Sequence, residues 1–335
     1  MAATNDRGSK LIETFISHAL LRNGHAQTLA GSAWPRRSGV RAADESRLFE
    51  VEPGVRILAH CWWHEDRTSR GTLVLVHGLG GSAESPYIFG AARLAFGAGF
   101  NVVRINQRNC GGTEHLTPTL YHSGMSGDVA SVVRELADRD GLERIVVGGF
   151  SMGGNLALKM AGEFGEDSPP ELVGVCAVSP ALDLTSTVEA LEKPSNTIYQ
   201  SLFVRGLKNL ALRKKQLYPD LYDVTGIENL RTVRDFDDTY TAPHAGFANA
   251  ADYYTKCSAI RTTAKVRTPT LIIHAQDDPF VPYAPLLRPE VSANPNITTE
   301  MPTHGGHVAF VSNNSKTRFW AEHRLVTHAQ TLLEQ

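Results

Sequence analysis

The sequence predicts an α/β fold: a mostly parallel sheet flanked by helices on both faces, with a helical cap inserted between late core strands. Three observations predict it. Short runs rich in Val, Ile and Leu alternate with helical stretches along most of the 335 residues. Several of those runs are nearly continuous in apolar residues, as strands buried on both faces are. One long interval, from about Leu182 to Arg267, breaks the alternation and holds no clear sheet strand.

Taken in order, the strand candidates are Val55–Trp62, Thr72–His77, Phe100–Ile105, Arg144–Gly149, Leu172–Val178, Thr270–His274 and Ile297–Met301. Helical patterns fall between and after them at Asp128–Asp138, Gly154–Glu163 and Thr317–Leu333. Such alternation is the pattern of a parallel sheet with crossover helices. The long interval carries helical pieces, aromatic residues and a basic cluster, Arg213-Lys-Lys215, whose plain reading is a solvated helix face. An excursion of that size reads as a cap over the sheet's C-terminal edge, where open α/β sheets bind ligands. The expected organisation is therefore an N-terminal segment, residues 1–45, packing on the core; core residues 46–181; a cap at 182–267; and the rest of the core at 268–335.

Composition narrows the function. The chain is 42% hydrophobic and 20% charged, which is ordinary for a globular protein. Its formal net charge of −2 gives no basic surplus for a nucleic-acid partner. No run of 18 apolar residues is present, so no membrane-spanning helix is expected. The stretch Lys10–Leu21 looks amphipathic rather than like a signal peptide. Four cysteines, Cys61, Cys110, Cys176 and Cys257, form no C-x-x-C pair. Free thiols and a cytoplasmic location are expected.

The chemistry is carried by four loops. Strand Arg144–Gly149 runs into Gly149-Phe-Ser-Met-Gly-Gly154 and then a helix. This is G-x-S-x-G in its strand–turn–helix context, which lifts Ser151 to the top of the sheet as a nucleophile. A serine hydroxyl is weak alone and needs an adjacent base. The loop Val74-Leu-Val-His-Gly-Leu-Gly-Gly-Ser82 supplies backbone amides for an oxyanion hole, with Leu79 and Met152 as the expected donors. An acid and a base should follow in chain order. Asp277 and Asp278 end one late strand, and His307 lies in Thr303-His-Gly-Gly-His-Val-Ala-Phe310 after the last. The spacing from Asp278 to Pro282 favours Asp278 as the acid, leaving Asp277 to cap its turn.

Two rival readings of these residues are weaker. Gly78-Leu-Gly-Gly-Ser-Ala83 also fits a dinucleotide fingerprint, yet the next strand brings no ribose-binding acid. The pairs His304/His307 and His60/His64 lack a carboxylate at zinc spacing, and His60 and His64 read as surface residues. No cofactor and no metal are expected.

With these residues placed, the chain resembles the YheT-like branch of the α/β-hydrolases, related to the ABHD-type hydrolases. The resemblance rests on Asn23-Gly-His-Ala-Gln-Thr-Leu29, on Tyr121-His-Ser-Gly124 with Asp128, and on Phe236-Asp-Asp with Gly246-Phe247 and Tyr253-Tyr254. It rests further on Asp277-Asp-Pro-Phe280 and His304-Gly-Gly-His307. One departure is Asn109 after Arg108, where the family usually has glycine. The resemblance implies an α/β-hydrolase fold, a Ser151–Asp278–His307 triad and hydrolysis of a small-molecule acyl ester or lipid. Acyl transfer to an alcohol is the alternative on the same triad, and a non-catalytic binding protein on a hydrolase scaffold is the other. The N-terminal anchor of eukaryotic relatives is not seen, which is the further ground for expecting a cytoplasmic protein.

Overall fold

The computed structural model describes residues 14–36 and 41–334. Eight strands form one sheet: β1 (Glu45–Glu52), β2 (Val55–Trp62), β3 (Thr72–Val76), β4 (Asn101–Ile105), β5 (Ile145–Phe150), β6 (Leu172–Val178), β7 (Thr270–Ile273) and β8 (Ile297–Glu300). Their order is β1-β2-β4-β3-β5-β6-β7-β8. β2 runs antiparallel to β1 and β4, and the remaining pairs are parallel.

The helices are α1 (Gly24–Ala33), α2 (Pro86–Gly97), α3 (Ser126–Asp138), α4 (Met152–Phe164), α5 (Leu184–Leu191), α6 (Thr197–Leu217), α7 (Val233–Phe236), α8 (Ala242–His244), α9 (Ala250–Cys257), α10 (Ile260–Thr263), α11 (Pro289–Ser292) and α12 (Trp320–Leu333). Alternation along the buried strands builds both faces. Val74 and Val76 of β3 pack with α3 and α4, whereas Leu73 and Leu75 pack with α2 and α12. Every residue of β3, β4 and β5 is buried, which is why these strands read as unbroken apolar runs.

β1 was not expected from the pattern. Only Phe49 and Val51 of its eight residues are buried, and four are charged, as suits an edge strand. The Pro53-Gly54 turn into β2 is the hairpin signal that marks it. The stretch at Lys10–Leu21 falls partly outside the described residues. Its described part, from Thr14, is not helical, and Ser17 bridges Ser312.

Between β6 and β7 the described residues form helices and turns only. Their apolar side chains, including Leu191, Tyr199, Val204 and Phe236, pack on Leu120, Phe280 and Val281 of the loops above the sheet. The basic cluster is not uniformly solvated. Lys214 is fully buried, and its Nζ donates to the carbonyls of Glu114 (2.9 Å) and Thr117. Helix α6 is thereby tied to the loop after β4. His60 and His64 are half-buried rather than on the surface: His60 Nδ1 lies 3.1 Å from Ser46 Oγ, and the His64 ring stacks on Phe96. All four cysteines are buried and free. No described helix is long and apolar enough to cross a membrane.

Candidate active site

β5 ends at Phe150 and α4 begins at Met152, so Ser151 occupies the turn alone, with φ 54° and ψ −118°. Such a backbone costs on the order of 1–3 kcal/mol and persists only where its surroundings hold it. Here the Ser151 amide donates to Val178 O at 2.9 Å, and its carbonyl accepts from Asn155 and Ala181. A Cβ at Gly153 would lie 2.3 Å from Val76 O, and one at Gly149 would lie 2.2 Å from Gly153 O. The elbow therefore closes only with glycine at both positions.

Three predicted residues meet in one line. Ser151 Oγ lies 2.9 Å from His307 Nε2, and His307 Nδ1 lies 2.7 Å from Asp278 Oδ2. With Nδ1 donating to the carboxylate, Nε2 is left to accept from the serine hydroxyl. The other Asp278 oxygen accepts from the amides of Phe280 (3.2 Å) and Val281 (2.9 Å). Burial pushes the Asp278 carboxyl up, but the His307 imidazole, with smaller help from His274 and the Val281 amide, holds it below its ordinary value. His274 is also buried; its Nε2 donates to Val281 O at 2.9 Å and so fixes the loop that carries Asp278.

Asp277 does not cap its own turn, as the sequence suggested. Its Oδ1 accepts from the Gly306 amide at 2.9 Å, and its Oδ2 lies 3.2 Å from His304 Nδ1. It braces the neighbouring histidine loop, while the local amides go to Asp278. His304 and His307 therefore face different carboxylates and form no pair.

The glycine loop after β3 is held by side chains whose role the sequence did not reveal. His77 is fully buried; its Nδ1 donates to Gly78 O at 2.8 Å, and its Nε2 accepts from the Gln107 amide at 3.1 Å. The Gly78 amide donates to Tyr87 Oη and the Gly80 amide to Tyr121 Oη, each at 3.0 Å. Among the described residues the amides of Leu79 and Met152 have no acceptor of their own. The advance signals for this scaffold were the histidine before the glycines and Tyr121 at the head of the Tyr121-His-Ser-Gly124 segment.

Burial holds His77 neutral, depressing it to about 4, and does the same to His122 and His328. The unfolded chain takes up these protons near 6.5, whereas the folded chain does not until about 4. Each such histidine costs stability as the pH drops from 6.5 toward 4, by up to about 3 kcal/mol where burial is complete, and the buried carboxyls of Glu322 and Asp237, lifted by burial to about 7 and about 6, offset part of that loss. We expect Tm to decline steadily across that window in calorimetry; a Tm constant from pH 6.5 to 4.5 would contradict it.

The N-terminal signature has a structural meaning. Asn23 Oδ1 caps α1 by accepting the amides of His25 and Ala26. Thr28 Oγ1 accepts the His307 amide at 2.9 Å, and Gln27 exchanges hydrogen bonds with Val311. A Cβ on Gly24 would lie 1.8 Å from Asp277 O. Helix α1 is thus a wedge against the loops bearing Asp278 and His307. Gly24→Ala should displace the Asp277–Asp278 loop by about an ångström and lower kcat on the order of a hundredfold. Steady-state kinetics on a p-nitrophenyl ester checks this, and unchanged kcat would refute the wedge.

Two cavities meet at Ser151. One, of about 370 Å³, opens between α1, the glycine loop and His307. The other, of about 90 Å³, runs beneath the helical excursion along Met152, Leu184, Val188 and Leu191. Leu79, Ser151, Phe203 and Phe280 line both. A larger hollow of about 750 Å³, between α6 and the loop after β4, does not reach Ser151. Asn109, where the resemblance expected glycine, adopts φ 66° and donates from Nδ2 to Thr119 O at 2.8 Å. Asparagine tolerates this left-handed conformation better than other side chains, so the loop keeps its course.

Comparison with known proteins identifies the family and the fold. Residues 71–314 match the family described as "alpha/beta hydrolase fold". The chain is 34% identical over 265 residues to "Putative esterase YheT" of Escherichia coli, covering 78% of this chain and 77% of that one. It is 27% identical to "Phospholipase ABHD3" of Mus musculus over 74% of this chain, but spans only 60% of that protein. Among solved structures, the Pyrococcus furiosus esterase Pf2001 superposes with a TM-score of 0.56 at 16% identity, over 90% of this chain and 98% of that one. That likeness speaks for the fold alone. Sequence identity and family match together assign the chain to the α/β-hydrolase family, in its YheT-like branch.

Proposed function

We propose that this protein is a serine hydrolase of carboxylic esters working through an acyl-enzyme. The observation that carries the reading is the continuous line from Ser151 Oγ through His307 to a buried Asp278, with steps of 2.9 and 2.7 Å. In this reading Ser151 Oγ attacks the ester carbonyl carbon as His307 Nε2 takes the hydroxyl proton. Asp278 keeps the imidazole in the required tautomer and stabilises its charged form. The Leu79 and Met152 amides hold the negative oxygen. His307 then returns the proton to the departing alcohol, and water releases the acid by the same steps. An alcohol replacing water would give acyl transfer without any change in the protein's groups. The helical excursion acts as the cap over the site.

The relatives named as esterase and phospholipase support an ester substrate, either a small molecule or a lipid. A fluorophosphonate probe tests the reading directly. The Ser151 oxygen should form a bond to phosphorus with loss of fluoride, and mass spectrometry should place the adduct on Ser151. Absence of labelling by the folded protein would refute the serine mechanism.

A further inference from the structure

The two cavities at Ser151 are chemically unequal, and His307 decides which part of an ester enters each. In the ester-hydrolase reading, on which this inference rests, His307 Nε2 must hand a proton to the leaving oxygen. His307 lines the wider cavity and not the narrower one. The alcohol part therefore lies in the wider cavity, and the acyl chain enters the narrow one beneath the excursion.

Most of that acyl cavity is apolar, with Leu184, Val188, Leu191 and Val233 on its walls. Asp237 is the one acidic residue among the lining, which also carries His122, Ser123, Thr187 and Thr241. It is buried, yet it lines the cavity, from a single wide turn at Asp237–Thr241 whose i→i+5 geometry is uncommon and recurs at functional sites. Its Oδ2 accepts the Tyr254 hydroxyl at 2.7 Å, and the Thr241 side chain is its second hydrogen-bond partner. Among the described residues no Lys, Arg or His pairs with it, and the nearby Arg234 is bound to Glu192 instead. A carboxylate offers about four acceptor positions, so hydroxyl neighbours leave part of it unfilled. A purely structural tie between this turn and α9 needs no acid. An amide would accept the Tyr254 hydroxyl without the cost of burying an ionisable group. The raised proton affinity of Asp237, which burial lifts to about 6, is the mark of that cost.

We propose that Asp237 is the specificity-determining residue of the acyl cavity, selecting acyl chains that carry a hydroxyl group able to donate to its carboxylate. A hydroxylated chain brings the carboxylate a third donor, whereas a plain alkyl chain brings none. Discrimination of that kind is worth about ten- to a hundredfold when the acceptor is charged.

The test compares p-nitrophenyl esters of hexanoic, octanoic and decanoic acid with their ω-hydroxy counterparts. For wild type, kcat/KM should favour the hydroxylated ester by about tenfold or more at the chain length that reaches Asp237. Asp237→Leu should abolish that preference, and Asp237→Asn should reduce it, with circular dichroism confirming the fold of each. A wild-type enzyme with no preference at any length overturns the proposal without reference to a variant. A preference that survives Asp237→Leu overturns it equally. p-Nitrophenyl acetate, too short to reach the residue, is assayed alongside. Loss of wild-type activity on every ester including the acetate would be failure of the serine-ester reading itself.

Discussion

Ser151→Ala should lose turnover of a p-nitrophenyl ester by about a millionfold, the scale seen when a triad nucleophile is removed. The fold should be retained, for a local reason. The bonds that hold the elbow are made by the Ser151 backbone: the amide to Val178 O, and the carbonyl to Asn155 and Ala181. The side chain contributes one hydrogen bond, to His307. Its loss is worth about 1 kcal/mol of stability, well within what a domain of this size tolerates. The left-handed turn is no worse for alanine than for serine, because each carries one Cβ. Turnover at the wild-type level by a folded Ser151→Ala protein would end the serine mechanism, whatever else the site resembles.

What was legible in the sequence follows from what determined it locally. β2 and β6 coincide with their expected bounds because burial of their apolar side chains sets both the pattern and the limits of pairing. The nucleophile loop was legible because steric closure at Gly149 and Gly153 leaves no other residue type. β1 was obscured because an edge strand keeps charges and shows little periodicity. Lys214 was obscured for a different reason. Its partners are carbonyls of a loop about a hundred residues earlier, and nothing in Arg213-Lys-Lys215 reveals which lysine turns inward. The same holds for α1: Asn23–Leu29 could be recognised as a signature, but not as the wedge under Asp277 and His307, since that contact closes across most of the chain. Asp237 lay inside a quoted motif too, and only the cavity distinguishes it from Asp238, whose carboxylate accepts the Ala250 amide instead.

The adjacent carboxylates of one loop give the sharpest discrimination. Asp278→Asn should lower kcat by about ten-thousandfold, the cost of replacing the orienting acid in a related triad. Asp278 is within 2.7 Å of His307 Nδ1 and almost wholly buried. An asparagine there can present its NH₂ to Nδ1. That stabilises the tautomer with the proton on Nε2, which cannot accept from Ser151. It also removes the charge that stabilises the imidazolium during attack. The amides of Phe280 and Val281 can still donate to the asparagine oxygen, so the loop should hold its shape. Asp277→Asn acts elsewhere. Its carbonyl oxygen can keep the Gly306 amide, and only the interaction with half-exposed His304 is altered. An exposed pair of that kind is worth about 0–1 kcal/mol, so kcat should fall by less than about tenfold. Measuring kcat for both variants on one ester, with circular dichroism on each, separates the two roles. An inactive Asp277→Asn beside an active Asp278→Asn would reverse the assignment of the acid while leaving Ser151 as nucleophile. The opposite pattern, with both proteins folded, is the result that the 2.7 Å contact leads us to expect.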